Sequence, residues 1–168
     1  MSEDKKIAFM KLYEPVHPQF ERFCKARVYG QLDFKDLMHD TIIIAFNKLH
    51  EINDEKAFLH YLFGTAIRVL SNHKKKKTPN YTENLNQFDH LNHEKTDIEK
   101  NIELEHLKMA LSRLPDDQRE TLLLFEIAGF SIKEISSLQQ IGESAVKQRL
   151  SRGRQNLLVI LSPKSITL

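Results

Sequence analysis

At 168 residues the chain has room for one or two small domains, and 40% hydrophobic with 29% charged residues suits a folded, water-exposed protein. Five glycines and five prolines argue against a sheet-rich, turn-rich architecture. A formal charge of +2 names no partner, so the placement of charge matters more than its sum. The single cysteine, Cys24, excludes an internal disulfide and fits a reducing cytoplasm. Its place among Phe20, Phe23 and Val28 predicts a buried small hydrophobe. No apolar run approaches the ~20 residues that span a bilayer, and the opening MSEDKKIAFM lacks a signal-peptide core. A cytoplasmic chain without stable membrane insertion is the expectation.

Residues 7–29 carry apolar side chains at helical spacing: Ile7, Phe9, Met10, Tyr13, then Val16, Phe20, Phe23 and Cys24. Pro15 and Pro18 interrupt the pattern, which predicts two helical pieces joined near 14–18, with Gly30 ending the second. Asp33 is placed as the N-cap of DFKDLMHDTIIIAFNKL, with Asp36 in the first turn, where the helix dipole favours an anion. Leu37, Thr41, Ile44, Ala45 and Leu49 form the predicted inward face. The run Thr41–Phe46 alone suits a strand, but the periodic frame around it favours a helix.

Asn53 or Asp54 caps the next predicted helix, 55–76, whose apolar stripe is Ala57, Phe58, Tyr61, Leu62, Thr65, Ala66, Val69 and Leu70. It ends in His73 and four lysines, suited either to solvent and the helix dipole or to phosphate. Residues 78–97 are polar, with only Leu85, Phe88 and Leu91 apolar, and read as a linker. His90 and His93 there lack a third ligand at suitable spacing, so no metal site is expected. Thr96 and Glu99 form a capping box for a helix over 97–113 with Ile98, Ile102, Leu107, Ala110 and Leu111 inward. Leu114–Pro115 breaks it, and Pro115, Asp116 and Asp117 open another helix that stops at Gly129. Ser131 and Glu134 form a second capping box for a short helix, 132–139.

The last helix, within GESAVKQRLSRGR, has two faces. Val146, Leu150, Gly153 and Leu157 share one side, while Lys147, Gln148, Ser151, Arg152 and Gln155 share the other. A packed back and a cationic, amide-rich front suit a helix that enters the major groove, and three short helices ending in it make a helix-turn-helix module. Alone, the same pattern also describes a solvated surface helix.

DFKDLMHDTIIIAF near the start and LSRLPDDQRETLLLFEIAGFSIKEIS…SAVKQRLSRGRQNL near the end, in this order and with a polar linker between, resemble the extracytoplasmic-function sigma factors, a small class of the sigma-70 family. The resemblance covers about 9–77 and 104–161. It implies an all-α fold of two small domains, a region 2 helical bundle over 1–77 and a region 4 helix-turn-helix over 104–168, with 78–103 as linker. It further implies that Asp36, Asp40 and Asn47 bind bacterial RNA polymerase core, beside apolar Met38 and Ile42. Phe58, His60, Tyr61, Arg68, Asn72 and Lys74, with the loop His50–Lys56, would read and open the −10 promoter element. Ser144, Lys147, Gln148, Ser151 and Arg152 would read the −35 element, with Arg149 and Arg154 near phosphate. Promoter DNA, the polymerase core and an anti-sigma protein are the implied partners, and no cofactor, metal or catalytic residue is implied.

The chain departs from the family pattern at four positions. Tyr61 stands where the family usually has Trp, and Arg68 where it often has Asn. Gln140 occupies a turn position that favours Gly, and Gly142 an N-cap position that favours Ser. Tyr61 itself reads as core before it reads as a DNA contact. No GxxxxGK phosphate loop or HExxH metal motif supports an enzyme. Two binding-protein alternatives remain: a helix-turn-helix regulator that does not join polymerase, and a protein-only adaptor with no DNA affinity. The first of these gives the acidic helix and the basic-ended helix of the first block no evident role.

Overall fold

The computed structural model describes residues 3–52, 54–76 and 98–163, and these hold eight α-helices and no strand. The helices are α1 (Glu3–Tyr13), α2 (His17–Arg27), α3 (Phe34–Asn47), α4 (Glu55–Lys76), α5 (Ile98–Ser112), α6 (Asp116–Glu126), α7 (Ile132–Gln139) and α8 (Glu143–Leu161). Short 3-10 turns follow α1, at Glu14–Val16, and α3, at Leu49–Glu51. The chain divides into two compact units, residues 1–25 with 32–80 and residues 26–31 with 81–168. Residues 78–97 of the predicted linker, its histidines and the Thr96 half of a capping box lie outside the described residues, while 98–103, also placed in the linker by the resemblance, form the start of α5.

Local chemistry sets the helix ends. Asp33 caps α3 by accepting from the Lys35 N–H at 2.9 Å, and Asp54 caps α4 by accepting from the Ala57 N–H at 2.7 Å. Pro15 sits in the 3-10 turn between α1 and α2, where its fixed φ suits the tight turn and its missing N–H costs no α-helical bond. Gly30 and Gly129 take φ of 77° and 75°, and each supplies a left-handed residue after a helix. Ser131 caps α7 by accepting from the Glu134 N–H at 3.1 Å.

In the first unit the core is aromatic. Phe58 of α4 meets Phe9 of α1 edge-on, with centroids 5.6 Å apart, and Phe63 meets Phe20 and Phe23 of α2 at 5.5 and 4.9 Å. All of these rings are buried, and each contributes on the order of 2 kcal/mol through burial. Cys24 lies fully buried beside them, and desolvation pushes its thiol pKa well up. Thr41, also buried, donates its hydroxyl to the Leu37 carbonyl at 2.7 Å, so the long α3 packs against α4 without an unmet polar group there.

The second unit packs α6 and α7 against α8. Leu122, Leu123, Leu124, Ile135, Val146 and Leu150 are its buried centre. At Gly153 α8 lies close against α6: a Cβ there would lie 2.9 Å from Leu122 Cδ1. Two sequence expectations fail at the edges. Ile102 and Leu107 of α5 are exposed rather than inward, because the contacts of α5 come near its C-terminal end, where Ala110 and Leu111 are buried. On α1, Ile7 and Met10 are exposed, since one stripe through Phe9 and Tyr13 is all the unit covers.

Candidate nucleic-acid and protein interfaces

The α7–α8 turn is built by Gln140, which takes φ 55° and ψ 46°, the only non-glycine with positive φ among the described residues. The Ile141 N–H donates back to the Ser136 carbonyl at 3.1 Å, and Ser136 Oγ in turn donates to the Ile141 carbonyl. These bonds close α7 and aim α8. Gly142, with extended backbone and no side-chain cap, starts α8.

On α8, Val146, Leu150 and Gly153 are buried, while Ser144, Lys147, Gln148, Ser151 and Arg152 are exposed on the opposite side. The predicted two-faced helix is therefore present, and its outer face offers donors and acceptors suited to base edges. The two arginines expected near phosphate are held in protein contacts. Arg149 is half-buried: its Nη1 donates to Gln139 Oε1 at 3.3 Å and its Nε lies 3.6 Å from Asp117 Oδ2. It links α8 to α6 and α7. Arg154 pairs with Glu126 at 3.0 Å and lies over the Phe125 ring at 5.5 Å. Beside it, a groove of about 330 Å³ is floored by Phe125, Ile132, Leu150 and Leu158.

On α4 the six residues expected at the −10 element separate. Phe58 is fully buried against Phe9, so its part is to hold the helix, not to touch DNA. Its place in the predicted apolar stripe was the sounder indication. Ala57, from the same stripe, is exposed. Tyr61 and His60 are half-exposed, and Arg68, Asn72 and Lys74 are exposed. Arg68 lies with its Cζ 5.8 Å from the Tyr61 ring centroid, and its Nη2 donates to Thr65 Oγ1 at 3.3 Å. Tyr61 is thus neither wholly core nor wholly surface.

On α3, Asp36 and Asn47 are exposed and Asp40 is half-exposed, with Oδ2 3.7 Å from Nε2 of His73 on α4. The helix period places Ile43 on the same stripe, and Ile43 is 46% exposed. Ile44, read from sequence as inward, is exposed beside it, and Met38, read as part of the surface, is buried. The helix is rotated so that Leu37, Met38, Thr41 and Ala45 face α4. Ile43 and Ile44 join Asp40, Val69, Asn72 and His73 around a groove of about 290 Å³. Sequence reasoning missed these two isoleucines. Their signal was the unbroken run Ile42–Ile44, which cannot all point inward on a helix that packs on one side.

Among the described residues there is no cluster of three or more metal-ligating side chains, and no helix long and apolar enough to cross a membrane.

Two family models match, in the order the sequence suggested: sigma-70 region 2 over residues 12–79 and sigma-70 region 4 over residues 104–157. The chain is 35% identical over 60 residues to the ECF RNA polymerase sigma factor EcfG of Rhodopseudomonas palustris, a match covering 36% of this chain and 33% of that protein. It is 25% identical over 148 residues to the RNA polymerase sigma-H factor of Pseudomonas aeruginosa, covering 81% of this chain and 77% of that protein. Its fold is similar to that of the sigma factor RpoE of Bartonella quintana, solved in complex with the anti-sigma factor NepR, with a TM-score of 0.69 at 21% identity over 92% of this chain and 97% of that one. With regions 2 and 4 matched in order and the all-helical fold in place, the chain belongs to the extracytoplasmic-function class of sigma-70 RNA polymerase sigma factors.

Proposed function

We propose that this sigma factor is a dissociable promoter-specificity subunit that uses three helix faces for three contacts. The stripe Asp36–Asp40–Ile43–Asn47 of α3 docks on the core of bacterial RNA polymerase. The outer face of α4, through His60, Tyr61, Arg68, Asn72 and Lys74, engages the −10 element. The outer face of α8, through Ser144, Lys147, Gln148, Ser151 and Arg152, anchors the −35 element. RNA synthesis belongs to the polymerase, this chain working in the cytoplasm without catalysis of its own. An anti-sigma protein is the expected regulator; the likeness to a sigma factor solved with one supports that reading.

The observation that carries the proposal is the pairing of two exposed polar faces on two separate units with an acidic and apolar stripe on one of them. A helix-turn-helix regulator needs only the α8 face. Exposed isoleucines flanked by carboxylates, on the other hand, suit a partner surface that is both apolar and basic, because such a stripe gains from burial and from charge pairing together.

Run-off transcription tests it. Purified chain is added to bacterial core polymerase on a library of promoter fragments. The expected result is a restricted set of transcripts that require the chain, and co-purification of the chain with core. Absence of both defeats the proposal, whereas sequence-selective DNA binding without transcription would establish the simple-regulator alternative.

A further inference from the structure

The outer face of α4 carries a feature that point-charge contacts with phosphate do not require. About 20° around the helix from Arg68 lies Tyr61, and Ala57, Gly64, Asn72 and Lys75 fall within about 40° of it. Ala57, Arg68, Asn72 and Lys75 are exposed, and Tyr61 and Gly64 half-exposed. Small residues one turn before Arg68 and at the helix start let another surface approach closely. Arg68 itself is oriented twice over: its Cζ lies 5.8 Å from the Tyr61 ring centroid, and its Nη2 donates to Thr65 Oγ1 at 3.3 Å. Thr65 is buried and is fixed in turn, since its hydroxyl donates to the Tyr61 carbonyl at 2.7 Å. The half-exposed ring of Tyr61 and the buried hydroxyl of Thr65 thus each hold the guanidinium of the exposed Arg68.

A guanidinium has five N–H donors in a planar fork and no acceptor. One donor is taken by Thr65, which leaves the remaining edge to bind a pair of acceptors. In the major groove only guanine presents two acceptors on one base, O6 and N7; adenine pairs an acceptor with a donor, thymine an acceptor with a methyl group, and cytosine offers a donor. An arginine meant only to neutralise phosphate gains little from being pinned, and the exposed lysines at the end of α4 already suit that task as flexible point charges.

We propose that Arg68, held by Tyr61 and Thr65, reads a guanine in the −10 element while that base pair is still duplex, and so sets part of the promoter preference of this sigma factor. The proposal rests on the assignment of α4 to the −10 element and adds the base and the positioning residues.

The test uses the full chain with core polymerase. Promoters are first selected from random fragments by transcription with the unaltered chain, and their −10 elements are then varied one base at a time. One position is expected to demand guanine, other bases lowering transcription by about 5- to 150-fold. Arg68→Ala removes that discrimination and leaves the −35 preference as it was. Arg68→Lys keeps the charge but also loses most of the discrimination, because an ammonium has no fork. Tyr61→Phe retains the preference and Tyr61→Leu weakens it, which a merely charged contact would not show. Three results overturn the inference: no guanine requirement in the −10 element, a guanine requirement that survives Arg68→Ala, or an equal loss on all sequences that Arg68→Lys restores. Absence of any chain-dependent transcript overturns it together with the assignment beneath it, so the two failures are told apart.

Discussion

Replacing Gln140 by glycine should stabilise the second unit, and the size of the gain can be worked from the backbone. Gln140 holds φ 55° and ψ 46°, so its Cβ is crowded against the following carbonyl. That conformation costs a non-glycine residue about 1–2 kcal/mol. Glycine avoids the cost but has more backbone freedom to lose on folding, roughly 0.5–1 kcal/mol. The difference leaves a gain of about 0.5–1 kcal/mol for Gln140→Gly. The side chain of Gln140 makes no described hydrogen bond that would offset this, and the backbone bonds from Gln140 and Ile141 to the Ser136 carbonyl are kept by glycine. For a helical unit of this size, 1 kcal/mol moves the midpoint by roughly 4–8 °C. The chain has two units, so a single two-state midpoint is not the right measure. Hydrogen exchange resolved to α7 and α8 is better: a gain of about 0.5–1 kcal/mol raises amide protection there by about 2- to 5-fold if both helices exchange through unfolding of their unit, with α1 to α4 unchanged. Gln140→Ala is the control. It keeps a Cβ and should give no increase. If alanine stabilises as much as glycine, left-handed crowding is not the cause and the reasoning fails.

Three other outcomes separate structural from recognition roles. Arg149→Ala should lower the stability of the second unit by about 1 kcal/mol, the cost of lost hydrogen bonds between helices, whereas Arg152→Ala should leave stability unchanged and lower −35 binding by about 1–3 kcal/mol in a base-dependent way; urea unfolding and competition binding distinguish them, and the reverse pattern would exchange the two assignments. Ile43→Ala should weaken association with core polymerase by about 1 kcal/mol, since roughly half of the side chain remains to be buried, and Asp36→Arg should weaken it too, while the isolated binding of DNA by α8 persists; unchanged core affinity in both variants removes this stripe of α3 from the interface. Gly153→Ala should destabilise the second unit despite the better helix propensity of alanine, because the new Cβ would lie 2.9 Å from Cδ1 of the buried Leu122; amide protection in α6 and α8 equal to or above that of the unaltered chain would show that Leu122 repacks.

What the sequence reveals and what it conceals follow from the range of the interactions involved. Caps and breakers act within a turn of the residues that encode them, so Asp33, Ser131, Pro115 and Gly129 mark their helix ends directly, whereas the left-handed conformation of Gln140 is legible only through the resemblance, which places Gly there. The two faces of α8 are legible for the same reason: the period is local, and one partner, the pair α6 and α7, decides which side is buried. Rotation of a helix with apolar residues nearly all round is not local. In α3 the choice between Ile44 and Met38 as the inward residue depends on where α4 lies, and the run of three isoleucines cannot express it. Arg149 and Arg154 show the same limit from the polar side, since a cation on a helix front looks the same in sequence whether its partner is a phosphate or, as here, Asp117 and Glu126 supplied from α6.

That limit bears directly on promoter choice. An arginine already paired inside the protein must give up its partner to bind DNA, so it contributes less and discriminates less than one whose geometry is fixed without being used up. By this measure Arg149 and Arg154, already paired within the second unit, are the wrong place to look for preference. The residues that remain directed outward on α8 include Ser144, Lys147, Gln148, Ser151 and Arg152, and on α4 the oriented donor is Arg68. Sequence preference in this chain should therefore be divided between a mixed amide, hydroxyl and cation surface at one element and a single pinned fork at the other. Exchange of α8 outer-face residues should alter several −35 positions, while exchange at Arg68 should alter a single −10 position, each by about 1–3 kcal/mol.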